Sequence, residues 1–342
     1  MKVAPIALAL AIASVSVAQA QQITGAGSSF AAPIYGKWAE AAKPSTGVSL
    51  NYQAIGSGGG QNQIFNRTVD FGASDAPVPH DKLASENLLQ FPTVMGGVAM
   101  IVNIPGIATD KLKLTGDLVA DIYLGKITKW NDAKITEINA GLTLPNLAIA
   151  PVYRADGSGT TFVFTDYLSL VSPDWKSKVG SATSVKWPAG TGSKGSDGVA
   201  GSVRNIRGGI GYVESAYADQ NKLTTTLLKN KAGQFVAPSM EAFTAAAENA
   251  DWSKAQDFAI NLNDQPGDKS WPIVSATFVL LPTNPKDPAQ SKAVISFFDW
   301  SFTNGDPIAK DLEYVLLPKS VKAEVRKAWS AQIKGPDGKP VF

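Results

Sequence analysis

The 342-residue sequence carries 31 basic and 29 acidic side chains, no cysteine and one histidine. The absence of cysteine excludes disulfides, thiolate nucleophiles and thiolate metal ligands. The charges of both signs are interspersed, so the chain has no broad basic field that would attract nucleic acid. A chain of this length exceeds the usual size of one hydrophobic core, and two domains are therefore predicted.

The N-terminal residues have the pattern of an export signal. Lys2 precedes an apolar run over residues 6–17 and then Ala-Gln-Ala at 18–20, a small-residue cleavage pattern. The run is shorter than the ~20 residues that a membrane-spanning helix needs. We predict a signal peptide over residues 1–20, cleaved after Ala20, and a mature protein with no membrane insertion of its own. Because there is no cysteine to carry a lipid anchor, the predicted location is the periplasm of a double-membraned bacterium.

Strand-like and helix-like segments alternate along the mature chain, which is typical of an α/β protein with sheets flanked by helices. Thr115 is the predicted N-cap of one of these helices. A Gly- and Ser-rich stretch near the middle of the chain predicts a flexible surface loop. The predicted elements are strands over 48–52, 147–153 and 210–214, helices over 30–43, 115–124, 240–249 and 320–333, and the loop over 190–198.

Two long apolar strand-like runs, residues 91–104 and 273–281, lie about half the chain apart. If both cross between domains, the first lobe is discontinuous, with residues 21–95 plus 272–342, and the second lobe is the insert 96–271. Two such crossings would form a hinge for closure around a ligand. The alternative is that both runs are ordinary core strands of one sheet, which the pattern alone favours equally.

Four segments share small residues, glycines and hydroxyls at points where a strand is expected to lead into a helix. They cover residues 25–30, 56–60, 72–77 and 154–160. A helix N-terminus presents unpaired N–H groups and partial positive charge, and glycine lets an anion approach that backbone closely. One such segment alone is typical of a helix cap or tight turn. Four of them together predict an enclosed oxyanion site.

Arg154 adds a planar set of donors that fits two oxygens of a phosphate or carboxylate at once, and Asp156 is positioned to hold that guanidinium. The alternative is a surface ion pair of little energetic value. That alternative leaves the glycines and hydroxyls after Asp156 unexplained, so Arg154 is a predicted anion ligand.

Asp75 is the more specific indication, because a carboxylate in an anion site is repulsive unless the anion brings a proton to donate. Phosphate carries such a proton near neutral pH, since its second ionisation lies near ~6–7, as for phosphoesters. Sulfate is fully ionised and would meet Asp75 as charge against charge. The alternative for Asp75 is a turn-capping residue before Pro77.

Seven runs in this sequence closely resemble the phosphate-binding subunit of the phosphate-specific ABC importer, a periplasmic binding protein family, and together they span the mature chain. They are TGAGSSF (24–30), IGSGGG (55–60), VDFGASDAP (69–77), FPTVMGGVAM (91–100), DIYLGKITKWND (121–132), RADGSGTTFVFTDYL (154–168) and GIGYVESAYA (209–218). The resemblance implies a type II-like fold in which two lobes close on one phosphate, with no metal or cofactor. It also implies delivery of inorganic phosphate to inner-membrane permease subunits.

Carried over position by position, the resemblance implies a set of phosphate-binding residues that agrees with the segments above. These residues are Ser29, Phe30 through its amide, Ser57, Asp75, Arg154, Ser158, Gly159 and Thr160, with Asp156 behind Arg154. Two positions depart from the family pattern. Ser29 stands where relatives often have threonine, which keeps the hydroxyl, and Tyr153 stands where close relatives can carry a second arginine, which removes a charge.

Other functions fit the sequence less well. Residues 190–195 match GxGxxG, but no strand is expected before them and no helix clearly after them. A serine hydrolase needs a GxSxG motif, which this sequence lacks, and the one available histidine, His80, lies beside Pro79 in a predicted surface turn. A phosphatase would share the oxyanion site but needs a metal cluster or an activated nucleophile. A binder of another oxyanion and an additional sensing role stay open as alternatives.

Overall fold

The structure is a computed structural model that describes residues 21–252 and 255–342. The predicted signal peptide, residues 1–20 with cleavage after Ala20, lies outside the described residues. In chain order the strands are Gln21–Gly27 (β1), Val48–Gln53 (β2), Phe71–Ser74 (β3), Leu88–Val102 (β4), Lys113–Leu114 (β5), Ala150–Arg154 (β6), Thr191–Ser193 (β7), Gly209–Glu214 (β8), Thr224–Thr225 (β9), Leu227–Lys229 (β10), Phe235–Val236 (β11) and Val274–Pro282 (β12).

Helices separate most of these strands. They are Ala32–Thr46 (α1), Ser57–Phe65 (α2), His80–Ser85 (α3), Gly116–Tyr123 (α4), Ala133–Ile138 (α5), Gly159–Val171 (α6), Pro173–Lys178 (α7), Gly195–Asn205 (α8), Ser215–Gln220 (α9), Met240–Glu248 (α10), Pro288–Asn304 (α11), Asp306–Asp311 (α12) and Lys319–Gln332 (α13), with a short 3-10 helix at Gln256–Phe258. Across the described ranges, no helix combines the length and the apolar character needed to cross a membrane.

The strands that the structure describes form a nine-stranded mixed sheet and a separate three-stranded sheet. In the large sheet the order is β2-β1-β3-β12-β4-β8-β6-β7, with β9 also paired to β4, and the small sheet has the order β11-β10-β5. The pairs β1–β2, β1–β3, β6–β8 and β6–β7 are parallel, whereas β12 and β4 run antiparallel to their neighbours. The predicted α/β class is confirmed. The carboxyl ends of parallel strands open towards helix N-termini, which is where α/β sheets bind ligands.

Strand β4 connects the two halves of the large sheet. All 15 of its residues are buried. Over Leu88–Gly97 it pairs with β12, and over Val98–Val102 it pairs with β8. The change of partner lies two residues beyond the predicted boundary at 95/96, and β12 begins near the predicted boundary at 272. The division into lobes at 21–95 plus 272–342 and 96–271 stays a prediction.

Most predicted elements are present with shifted ends. The helix predicted over 30–43 is α1, which begins two residues later and continues through Pro44 to a left-handed cap at Gly47. Thr115 caps α4 as predicted, because its Oγ1 accepts the Leu118 amide hydrogen.

Two local predictions are wrong. Residues 190–198 do not form a flexible loop, since they contain β7 and the start of α8. Gly190 has a φ of +106°, and a Cβ there would lie 2.5 Å from the Pro151 oxygen, so glycine allows β7 to approach β6.

His80 is exposed as expected, but it begins α3 rather than a turn, and its Nδ1 lies 2.7 Å from Oδ2 of Asp257.

Candidate functional site

The four predicted segments each lie at the carboxyl end of a strand of the large sheet. Residues 28–31 join β1 to α1, residues 54–56 join β2 to α2, and Asp75 follows β3 directly. Residues 155–158 join β6 to α6. The chain is locally built this way because short strand-to-helix connections place small residues and capping hydroxyls at the carboxyl end of the sheet.

Three of these segments meet directly. The Ser57 hydroxyl lies 3.4 Å from Oδ2 of Asp75. A Cβ on Gly159 would lie 2.4 Å from Oγ of Ser57 and 2.7 Å from Oδ2 of Asp75. The Gly58 amide donates a 2.9 Å hydrogen bond to the Gly157 oxygen. The structure thus has these backbones in close contact, with no room for a side chain at Gly159.

Asp75 is a buried carboxylate surrounded by hydroxyl donors. Only 3% of the residue is exposed. Ser28 Oγ and Thr277 Oγ1 both bind Oδ1, at 2.5 and 2.7 Å. Burial raises the pKa of Asp75 above its usual range, although these hydrogen bonds and the positive charge of Arg154 act in the opposite direction. Oδ2 accepts only the long Ser57 contact among these hydroxyls, so this oxygen has capacity for a further donor.

Arg154 is the buried positive charge of the site, with 4% of its surface exposed. Its Nε and Nη2 bind the two carboxylate oxygens of Asp156 at 2.8 and 2.5 Å, the paired geometry that fixes a guanidinium plane. Burial alone would raise the pKa of Asp156, but Arg154 holds it below its usual range. Asp156 takes the Nε hydrogen and one Nη2 hydrogen, so the second Nη2 hydrogen and the two Nη1 hydrogens are available to other acceptors.

Ser196, at the N-terminus of α8, also reaches this site and was not predicted from the sequence. Its Oγ lies 2.9 Å from Oγ of Ser29 and 3.4 Å from Nη1 of Arg154. The Gly195 amide, one residue earlier, donates to Oδ1 of Asp156 at 3.0 Å. Ser196 lies in the Gly- and Ser-rich stretch 190–198, whose composition predicts a surface loop and not a helix N-terminus at the site.

The start of α6 supplies the remaining predicted residues. Ser158 caps this 13-residue helix, since its Oγ accepts the Thr161 amide hydrogen at 3.1 Å. Within the described part of the chain, Oγ1 of Thr160 is buried and has no hydrogen-bond partner. A buried hydroxyl without a partner costs free energy, so this atom is suited to bind a polar ligand atom.

The loop of residues 28–30 is fixed by tyrosines that the sequence analysis missed. Tyr52 donates to the Ser28 oxygen at 2.6 Å, Tyr217 to the Ser29 oxygen at 2.7 Å, and Tyr314 to the Phe30 oxygen at 2.6 Å. These tyrosines lie far apart in sequence, so no local pattern connects them to the loop.

Tyr153, the residue before Arg154, packs as an aromatic side chain. Its ring stacks on Trp187 with centroids 4.8 Å apart and an angle of 13° between the planes. Among the described residues, no group of three or more His, Cys, Asp or Glu side chains is arranged to hold a metal ion.

Comparison with known proteins identifies the family. A family described as PBP superfamily domain matches residues 13–304. The phosphate-binding protein PstS of Pasteurella multocida is 52% identical over 324 residues, which cover 95% of this chain and 94% of the relative. The chain belongs to the PBP superfamily and to its PstS family. The PstS protein of Haemophilus influenzae is 50% identical and covers 93% of this chain and 95% of its own length.

A solved phosphate-binding protein from Stenotrophomonas maltophilia has the same fold as this PstS family member. It superposes with a TM-score of 0.71 at 20% identity, over 94% of this chain and 99% of the other. The resemblance stated from the sequence and the periplasmic binding protein fold that it implied are confirmed.

We expect Gly159→Ala to hinder the close contact between α6 and the loops at Ser57 and Asp75, because the added methyl overlaps both. Small-angle X-ray scattering should show a larger radius of gyration than for the wild type. The control is Gly198→Ala in α8, where the nearest atoms lie 3.6 Å from the new Cβ. Equal radii of gyration for Gly159→Ala and the wild type would contradict the expected steric block.

Proposed function

We propose that this PstS family member binds inorganic phosphate between two lobes in the periplasm and delivers it to the membrane subunits of an ABC importer. The observation that carries the proposal is a buried carboxylate, Asp75, among hydroxyl groups and beside the buried guanidinium of Arg154. The relatives at about half identity are named phosphate-binding proteins, which supports binding without a chemical step.

The proposed phosphate ligands are the hydroxyls of Ser29, Ser57, Ser158 and Thr160, the amides of Phe30, Gly159 and Thr160, the guanidinium of Arg154 and the carboxylate of Asp75. Several observations support this set. The Arg154 guanidinium has N–H groups that do not bind Asp156, and Thr160 has a buried hydroxyl without a hydrogen-bond partner among the described residues. The N-terminal amides of α6 add partial positive charge on the same side.

Asp75 gives the proposed site its selectivity. An ionised Asp75 only accepts hydrogen bonds, so it is compatible with an oxyanion that brings its own proton. The HPO4 ion carries one proton and the H2PO4 ion carries two, whereas sulfate at neutral pH carries none. In a buried site the repulsion between sulfate and Asp75 is weakly screened by solvent. Like charges in such contact cost on the order of 3 kcal/mol or more.

Closure follows from the predicted lobes. Strand β4 belongs to both halves of the large sheet, so bending near Gly97 would move the segments at 28–31, 54–56 and 75 relative to α6 and α8. A phosphate enclosed in this way is shielded from bulk ions, and its affinity should depend weakly on salt.

The proposals that this protein is exported and that it delivers phosphate to a permease are based on its family. We propose that the segment at 1–20 directs export and that permease subunits of the inner membrane accept the closed, loaded form. A solved Vibrio cholerae protein with this fold is named an ABC-type phosphate transport receptor, and it covers 86% of this chain at a TM-score of 0.55.

Titration calorimetry on the mature protein should show tight one-to-one binding of phosphate and nearly no heat with sulfate. The physical reason is the proton that phosphate donates to Asp75. The same protein should not hydrolyse a chromogenic phosphate ester in a parallel assay. Equal affinity for the two anions would refute the selectivity argument, and sustained ester hydrolysis would refute binding without chemistry.

We expect Asp75→Asn to raise sulfate affinity by about a hundredfold or more, because it removes a like-charge penalty on the order of 3 kcal/mol and each 1.4 kcal/mol is about tenfold. In the wild type, sulfate affinity should rise as the pH falls and Asp75 takes up a proton. Since burial raises the pKa of Asp75, this rise should begin above the ordinary aspartate value of ~4. The variant should lack this dependence on Asp75.

The control for that titration is Asp70→Asn. Asp70 also accepts amide and hydroxyl hydrogen bonds, from Thr24, but it lies outside the site. This variant should keep the wild-type discrimination against sulfate. An unchanged sulfate affinity in Asp75→Asn would show that Asp75 does not select between the anions and has only a structural role in its turn.

Arg154→Ala should weaken phosphate binding by roughly one hundredfold, because a buried charge-assisted hydrogen bond is worth about 1.5–3 kcal/mol and the site also loses its compensating charge. The control is Arg326→Ala, which removes an arginine paired with Asp299 on the surface, with Nε to Oδ1 at 2.5 Å. Calorimetry measures both. A loss below roughly threefold in Arg154→Ala, well short of one such bond, would exclude Arg154 as a ligand.

A further inference from the structure

Three consecutive carbonyl groups of the loop 28–30 each accept a tyrosine hydroxyl, and the three tyrosines hold different peptide groups. In a trans peptide the C=O of one residue and the N–H of the next lie in one plane and point in opposite directions. The Ser29 carbonyl, which accepts the Tyr217 hydroxyl, therefore belongs to the same peptide group as the Phe30 amide.

The other two tyrosines hold neighbouring peptide groups. Tyr52 binds the peptide that carries the Ser29 amide. Tyr314 binds the peptide that carries the Ala31 amide, and that amide donates to the Ser28 hydroxyl at 3.2 Å within the loop. Of the three, Tyr217 is the one that fixes the direction of the Phe30 amide, a donor in the proposed phosphate site.

Tyr217 approaches the loop from the opposite half of the large sheet. It lies on α9, directly after β8, and its ring packs in a cluster whose members all fall between residues 99 and 218. Other members of this cluster include Ala99, Val203 and Val213. The hydroxyl crosses from that cluster to the loop that follows β1, so this hydrogen bond forms when the two proposed lobes come together.

The hydroxyl is a permanent donor. Tyr217 is 6% exposed, and burial raises its pKa well above the usual range. A hydrogen bond accepted by a carbonyl also polarises its peptide and strengthens the N–H on the other side. The contact thus both orients the Phe30 amide and improves it as a donor to an anion.

We propose that Tyr217 is a positioning residue of the anion site, whose hydroxyl holds the Ser29–Phe30 peptide from the opposite lobe and slows release of the bound anion. The inference rests on the proposed function, since phosphate is the anion used to test it. Ser196 acts on the same residue from the same side, through the Ser29 hydroxyl.

Tyr217→Phe removes one oxygen atom and keeps the packed ring. Stopped-flow measurement with phosphate should show a dissociation rate about tenfold higher, the size expected for one buried neutral hydrogen bond. The association rate should stay within about twofold, because the bond forms only after encounter, and interface changes act mostly on dissociation. The control is Tyr123→Phe, a fully buried tyrosine that donates to the Val152 oxygen at 3.0 Å, outside the loop.

Amide NMR separates positioning from a general loss of stability. In phosphate-bound Tyr217→Phe, the Phe30 amide proton should move upfield relative to the wild type, whereas Tyr123→Phe should leave it in place. A dissociation rate and a Phe30 shift that both match the wild type would overturn the inference while the proposed function stands. A wild type that binds no phosphate would refute the proposed function and the inference together.

A second measurement needs no variant. The hydroxyl proton of Tyr217 should be visible in the NMR spectrum of the phosphate-bound wild type and lost to solvent exchange in the phosphate-free protein. A signal of equal protection in both states, or in neither, would show that this hydrogen bond does not depend on closure and would overturn the inference.

Discussion

The site is organised around the cost of burying Asp75. A carboxylate removed from water is stabilised only by donors placed against it, and here hydroxyls from three separate segments supply them. These donors come from the loop after β1, from the start of α2 and from β12. The hydrogen bonds of the Asp75 carboxylate therefore form only when these three elements are correctly placed against each other. Arg154 from the other half contributes the opposite charge.

Arg154 is itself constrained in a complementary way. Its contact with Asp156 neutralises part of the charge and fixes the plane of the guanidinium, and α8 holds Asp156 through the Gly195 amide. The proposed anion site therefore has no excess of fixed positive charge, and hydrogen-bond geometry rather than net charge would select the ligand there. Tyr153, which precedes Arg154, adds an aromatic contact with Trp187 and no charge.

The sequence predicted the fold class and the strand-to-helix positions of the site because both depend on residues that are close together in the chain. Apolar runs predicted β4 and β12, and the glycines and hydroxyls at 25–30, 56–60, 72–77 and 154–160 predicted the loops. The family resemblance added the set of proposed ligands. Local pattern failed at 190–198, where parallel pairing with β6 turns a Gly-rich stretch into a strand and a helix N-terminus. Thr277, Tyr217 and Tyr314 could not be found, since each acts on a residue at least 188 positions away.

The hydrogen bond between Gly58 and Gly157 has a consequence for how a ligand exchanges with solvent. A Cβ on Gly58 would lie 3.2 Å from Cα of Gly157, so two bare stretches of main chain touch there without any side chain between them. No change of side-chain rotamer can open a contact between main chains, so release of an ion from the proposed site past this point would require the two backbones to separate. Discrimination among anions in the proposed site would then depend on the hydrogen bonds that each anion makes there, and not on a side chain at this contact.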